Sequence, residues 1–133
     1  MTTFYRNIWM AVDRVYKVVS REWHSSDTAG DLTETYPLGV VVRPKEGKLF
    51  AYGTLDDARL HLGQKRLILE CEADVFDKSP QIRLMAYFVA DMECVKKFWN
   101  LYPNVTSLPF GSVVGNYSGT VLCDWIQPIR RIL

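Results

Sequence analysis

"LFAYGTLDDARLHL", residues 49–62, changes character at its centre, and the reading of that change decides the fold. Its first part, Leu49 to Tyr52, is apolar and aromatic, the composition of a strand. Thr54 followed three residues later by Asp57 is the pattern of a helix N-cap with acidic side chains in the first turn. Leu55, Ala58 or Arg59, and Leu62 then fall along one helical face, and Gly63 stands where such a helix stops. Gly53 serves a tight exit from the strand. With "RLILECEADVF" (66–76) as the next strand, the centre of the chain is strand, short helix, strand.

Towards the N-terminus, "RVYKVVSRE" (14–22) is dense in β-branched and aromatic residues and predicts a strand. The preceding "TFYRNIWMAV" is open between strand and helix, because Phe4, Ile8 and Val12 also keep helical spacing. "WHSSDTAGDLTETYP" (23–37) is a polar loop of a length associated with function or mobility. "LGVVVRP" (38–44) predicts a strand ended by Pro44, joined through "KEG" to residues 48–53 as a hairpin. Further on, "IRLMAYFVA" (82–90) suggests a strand, and "DMECVKKFWNLY" (91–102) a second helix with Met92, Val95, Phe98 and Trp99 on its apolar face. A second long loop (103–119) leads to a final strand, "TVLCDWI" (120–126), after which Pro128 is expected to break the ladder. The expected fold is a single α+β domain over residues 1–133, with about six mostly antiparallel strands and two helices packed on one face.

Composition limits the function classes. The chain has 133 residues, 48% of them hydrophobic and 23% charged, which is globular rather than disordered. Sixteen basic against fifteen acidic residues leave a formal charge of +1, a poor match for long nucleic acid but compatible with a small anion. No run approaches a membrane span, and the start, "MTTFYRNIWM", lacks the apolar core of a secretory signal. Cys71, Cys94 and Cys123 are odd in number and widely spaced, so the expectation is reduced thiols in a cytoplasmic protein.

Candidate chemistry is sparse. No two cysteines have zinc-ligand spacing, and His24 and His61 stand apart, so neither a metal nor a cofactor is expected. His24, Ser25, Ser26 and Asp27 are the residue types of a hydrolytic triad, but adjacency in sequence does not make one. Tyr52-Gly53-Thr54-Leu55 resembles the active-site turn of the gamma-glutamylcyclotransferases. It arrives late in the chain and runs directly into a capped helix. Glu70 and Glu72 lie too near it to supply that family's acid/base glutamate, and the turn is read as structural. An ADP-ribosyltransferase-like enzyme using NAD would draw on His24, Tyr52 and Glu72. A non-catalytic interaction module is a further alternative.

The binding residues expected from the sequence are of two kinds. Arg43, Arg130 and Arg131 flank strand ends and offer bidentate donors to phosphate. Trp99 and Tyr117 offer flat faces to a base, and Asn116, in the glycine-bearing loop "PFGSVVGNYSG", offers hydrogen bonds to ribose or base edges. The order of elements, with "YKVV", "GKLFAYGTLDDAR" and "GTVLCDWIQPI" as landmarks, resembles that of the phage Thoeris anti-defence proteins known as sponges. That resemblance implies a homo-oligomer in the host cytoplasm. It would sequester an adenine-containing signal, cyclic ADP-ribose-type or cyclic oligonucleotide, without cleaving it, and so counteract host immunity.

Overall fold

The computed structural model describes residues 2–5, 8–25, 34–63, 66–78, 84–85, 96, 99–100, 102, 113–114 and 119–133. The chain opens with a hairpin, β1 (Thr2–Tyr5) against β2 (Ile8–Ala11), paired antiparallel from Thr2–Ala11 to Tyr5–Ile8. The ambiguous N-terminal stretch is therefore β. Next come β3 (Asp13–Ser20), β4 (Leu49–Tyr52), α1 (Leu55–Leu60) and β5 (Arg66–Asp77). A short pair, β6 (Leu84–Met85) with β7 (Val113–Val114), precedes the long final strand β8 (Thr120–Arg131).

Four of these strands close into an antiparallel barrel in the order β3-β4-β8-β5. Closure demands strong bending from β5 and β8, and their ladder supplies it with register shifts at Glu70/Cys71, Asp74/Val75 and Val75/Asp77. Alternation then sends Val15 and Val19 of β3, Leu67, Leu69, Cys71 and Ala73 of β5, and Val121, Cys123 and Ile126 of β8 into one core. The opposite face of β3 and β5 is covered by α1, where Val18, Tyr52, Ala58 and Ile68 form a second cluster.

The helix forms for local reasons. Thr54 has extended backbone angles, φ −131° and ψ 154°, and its hydroxyl oxygen accepts from the Asp57 N–H at 3.1 Å. Asp56 and Asp57 occupy the first turn and Arg59 the last, each complementing the helix dipole. Gly63 follows at φ +65°. The Tyr52–Leu55 turn is a strand-to-helix junction.

Three expectations change. Residues 38–44 are not a strand paired with β4: its edges go to β8 along its whole length and to β3 at one position. The segment instead runs beside the far half of β8, with Gly39 N–H donating to Pro128 O and Val42 bridging Ile126. Pro128 does not end the last strand, which continues to Arg131. It sits beside the Glu70/Cys71 register shift, opposite Cys71, where a missing donor is tolerated. Among the described residues the main sheet has four strands rather than about six, with one complete short helix, in an α+β arrangement. Of the proposed helix 91–102, Lys96, Trp99 and Asn100 are helical and Tyr102 lies in a turn; the other residues, with most of strand 82–90 and most of loop 103–119, lie outside the described residues.

Candidate functional site

The barrel has a seam. β3 and β5 share eight register pairs, whereas β3 and β4 share one, Tyr16–Tyr52. Immediately beyond it stands Lys17, on the same inward side as Val15 and Val19, and only 8% exposed. Its ammonium donates to the Phe50 carbonyl at 2.6 Å, so a side chain satisfies a β4 acceptor where the strands part. The same nitrogen lies 5.2 Å from the centre of the Tyr36 ring, a cation–π distance. An ammonium in an apolar barrel is costly unless it is held in this way.

Tyr36 comes from the polar loop 23–37, yet it is 1% exposed and among the largest fully buried side chains. Its described ends, residues 23–25 and 34–37, are tied to each other and to the core. Trp23, at φ +65°, packs on the core and accepts from Tyr36 N–H at 2.8 Å. Ser25 N–H donates to Glu34 O at 2.8 Å, and the Ser25 hydroxyl oxygen accepts from Glu34 N–H at 2.9 Å. Burial pushes the Tyr36 phenol well above its ordinary value, against the lowering effect of its hydrogen bond with Ser25, and the Glu34 charge adds to the rise. The phenol stays protonated.

The loop between residues 43 and 48 completes a recess over this seam. Pro44, Lys45, Glu46 and Lys48 line it together with Lys17, Ser25, Glu34 and Tyr36, and its cavity volume is about 30 Å³. That is room for one or two waters, or for the end group of a larger ligand. Lys45 N–H donates to the Glu34 carboxylate at 3.0 Å. Lys48 pairs with Asp124 and lies 4.1 Å from the centre of the Phe76 ring. Below the recess, burial pushes the Cys71 and Cys123 thiols up to about 12, with Lys17 pulling each back only in part. Neither is an activated nucleophile.

Two of the expected ligand residues neighbour the lining of this recess without being part of it. Arg43 is exposed and adjoins Pro44 of the lining. Trp99 stacks on Phe50 at 6.0 Å and 28°, and covers Gly47 on the same loop. Tyr102 tilts against Trp99 at 5.5 Å and donates its hydroxyl to Asp77. Arg130 and Arg131 lie elsewhere. Phe50 pairs with Leu122, and Arg130 is eight residues further along β8, at ~3.3 Å per residue a path of roughly 25 Å along the bent strand. Arg130 pairs with Glu70 at 3.0 Å, beside the Arg14–Glu70 ion pair, and Arg131 Nε donates to Leu133 O. Asn116 and Tyr117 lie outside the described residues.

His24, Tyr52 and Glu72 are not brought together. Tyr52 is buried under α1, its ring stacked on His61 at 5.1 Å. Glu72 pairs with Arg14 near the start of β3, whereas exposed His24 follows its end. Among the described residues no group of three or more His, Cys, Asp and Glu is placed to hold a metal, and no helix is long and apolar enough to cross a membrane.

Lys17 and Tyr36 were not singled out by the sequence, and Ser25 only as one of the triad residue types in 24–27. The available signal was parity: Lys17 lies midway between Val15 and Val19 on one face of a strand. Comparison of the chain with protein-family models, curated proteins and solved structures finds no match in any of the three.

Proposed function

We propose that this protein is a non-catalytic binding module for a small adenine-containing nucleotide signal, held at the recess over the β3–β4 seam and released unaltered. The observation that carries the reading is that one short segment, residues 43–50, borders the recess with both kinds of group a nucleotide needs. Lys45 lines it as a cation, Lys48 does so while paired with Asp124, exposed Arg43 precedes the lining in sequence, and the Phe50–Trp99 stack supplies aromatic surface. The protonated state of Tyr36 and of the two core thiols favours holding over reacting, because none of them is poised to accept a proton or attack. Cyclic ADP-ribose-type signals and cyclic oligonucleotides are the ligand classes implied by the order of elements.

The test is calorimetry with cyclic ADP-ribose isomers and cyclic oligonucleotides, followed by heat denaturation and chromatography of the released ligand. Binding with intact recovery is the expected result. Binding followed by recovery of an altered ligand would make the protein an enzyme, and no binding of any of these compounds would overturn the reading.

A further inference from the structure

We infer that residues 40–43 are an edge at which two copies of this chain pair antiparallel about a twofold axis, with Val41 of each copy opposite Arg43 of the other. The inference is independent of the ligand reading, because it uses the outer edge of this segment and not the recess.

The backbone is the first argument. Val42 exchanges both of its main-chain bonds with Ile126, donating at 2.7 Å and accepting at 3.0 Å, so its N–H and C=O point at β8. In an extended chain the residues on either side turn theirs the other way. Pro44 favours extended backbone at Arg43. Exposure alternates to match: Val41 is 39% exposed, Val42 7%, and Arg43 is exposed again. Among the described residues neither Val41 nor Arg43 makes a hydrogen bond, which leaves a donor and an acceptor at each facing out.

Composition is the second argument. An exposed edge is ordinarily guarded against pairing by charge or proline. Leu38-Gly39-Val40-Val41-Val42 carries neither, and Leu38 and Val40 are both about half exposed. Ile129, next to the Pro128 carbonyl that accepts from Gly39, is also exposed.

Symmetry selects a second copy as the occupant. With Val42 on the axis, each outward donor of one copy meets an outward acceptor of the other, Val41 exchanging both bonds with Arg43. The edge is short, because the chain turns at Gly39, φ +77°, and Pro44 closes the other end. A partner therefore needs only the same short edge. Charge agrees: each Arg43 faces a valine instead of its own counterpart, and a formal charge of +1 repels a second copy little. Size sets the strength. Residues 38–43 with Ile129 fall well short of the roughly 20–30 residues a side of a standard interface, so pairing depends on concentration.

The experiment is sedimentation equilibrium of the full chain from about 10 μM to about 1 mM. The mean mass should rise with concentration towards that of two chains. Amide hydrogen exchange should slow at Val41 and Arg43 over the same range, and much less at Val42, which is bonded to Ile126 in either state. Charge tests the register. Val41→Lys sets a cation opposite the second copy's Arg43, whereas Val41→Glu sets an anion there. The dimer Kd of Val41→Lys should exceed that of Val41→Glu at least about tenfold. Leu60→Lys and Leu60→Glu, at an exposed position on α1, should differ less than about twofold. A monomer at every concentration would overturn the inference, whether the edge then stays bare or takes a strand of another protein. So would a dimer whose Val41 and Arg43 amides exchange as in the monomer, or equal Kd values for the two Val41 variants. If either variant does not fold, the wild-type mass and exchange decide.

Discussion

Two glycines separate the backbone from the packing contribution of the loop that borders the recess. Gly39 and Gly47 both have left-handed backbone, at φ +77° and +69°. A Cβ at Gly39 would meet nothing within 4 Å, whereas one at Gly47 would fall well inside the Trp99 indole. Gly39→Ala therefore reports the conformational cost alone, about 1–2 kcal/mol. Gly47→Ala carries the same cost and also drives Trp99 off Phe50 and Tyr102. Each of those ring contacts is worth about 0.5–1.5 kcal/mol. The expected total is roughly 2–5 kcal/mol, which for a chain of this size lowers the melting temperature by about twice to three times as much as Gly39→Ala. Urea unfolding followed by tryptophan fluorescence measures both variants, and only Gly47→Ala should change the native emission. In a Trp99→Ala background the Gly47→Ala cost should shrink to that of Gly39→Ala, since the obstructing ring is gone. Equal destabilisation by the two glycine variants in the wild-type background, or no coupling to Trp99, would refute the placement of Trp99 over this loop.

Replacing Thr54 by Ala removes the α1 cap and should cost about 1 kcal/mol in equilibrium unfolding; a cost near zero would mean the cap is not formed. Stability should also fall in alkali. Cys71 and Cys123 are raised from 9.0 to about 12, so their contribution is complete below pH 9 and is lost as pH rises towards 12, because the unfolded chain releases protons that the fold retains. Each thiol removes up to about 1.4 kcal/mol per pH unit in that window. A urea midpoint that does not move across it would count against buried, protonated thiols. The homo-oligomer implied by the order of elements should give a light-scattering mass above that of the 15.3 kDa chain, and a monomer mass at every concentration would remove it.

What the sequence determined by itself is what its near neighbours determine. The strand-to-helix junction at Tyr52–Leu55 was legible because a cap joins residues three apart: Thr54 and Asp57 meet whatever the rest of the chain does. β3, β5 and the start of β8 were legible for a related reason, since β-branched runs favour extended backbone before any partner is chosen. Partner choice was not legible. Val40 to Val42 have strand composition, but β4 pairs along its whole length with β8 and meets β3 at its end, and tertiary pairing left the segment a single bridge to β8. Pro128 signals a strand end only where the missing donor is needed, and beside a register shift it is not. Arg130 looked available to a phosphate because nothing local reveals that Glu70 lies opposite it in the barrel. Lys17 is the sharpest case. Val15 and Val19 mark one face of β3 as apolar while Tyr16 and Val18 mark the other, and both faces are covered, one by the barrel core and one by α1. The alternation of a strand fixes which residues share a face. Only closure of the barrel decides which face turns inward, and so only the tertiary structure could put a lysine there.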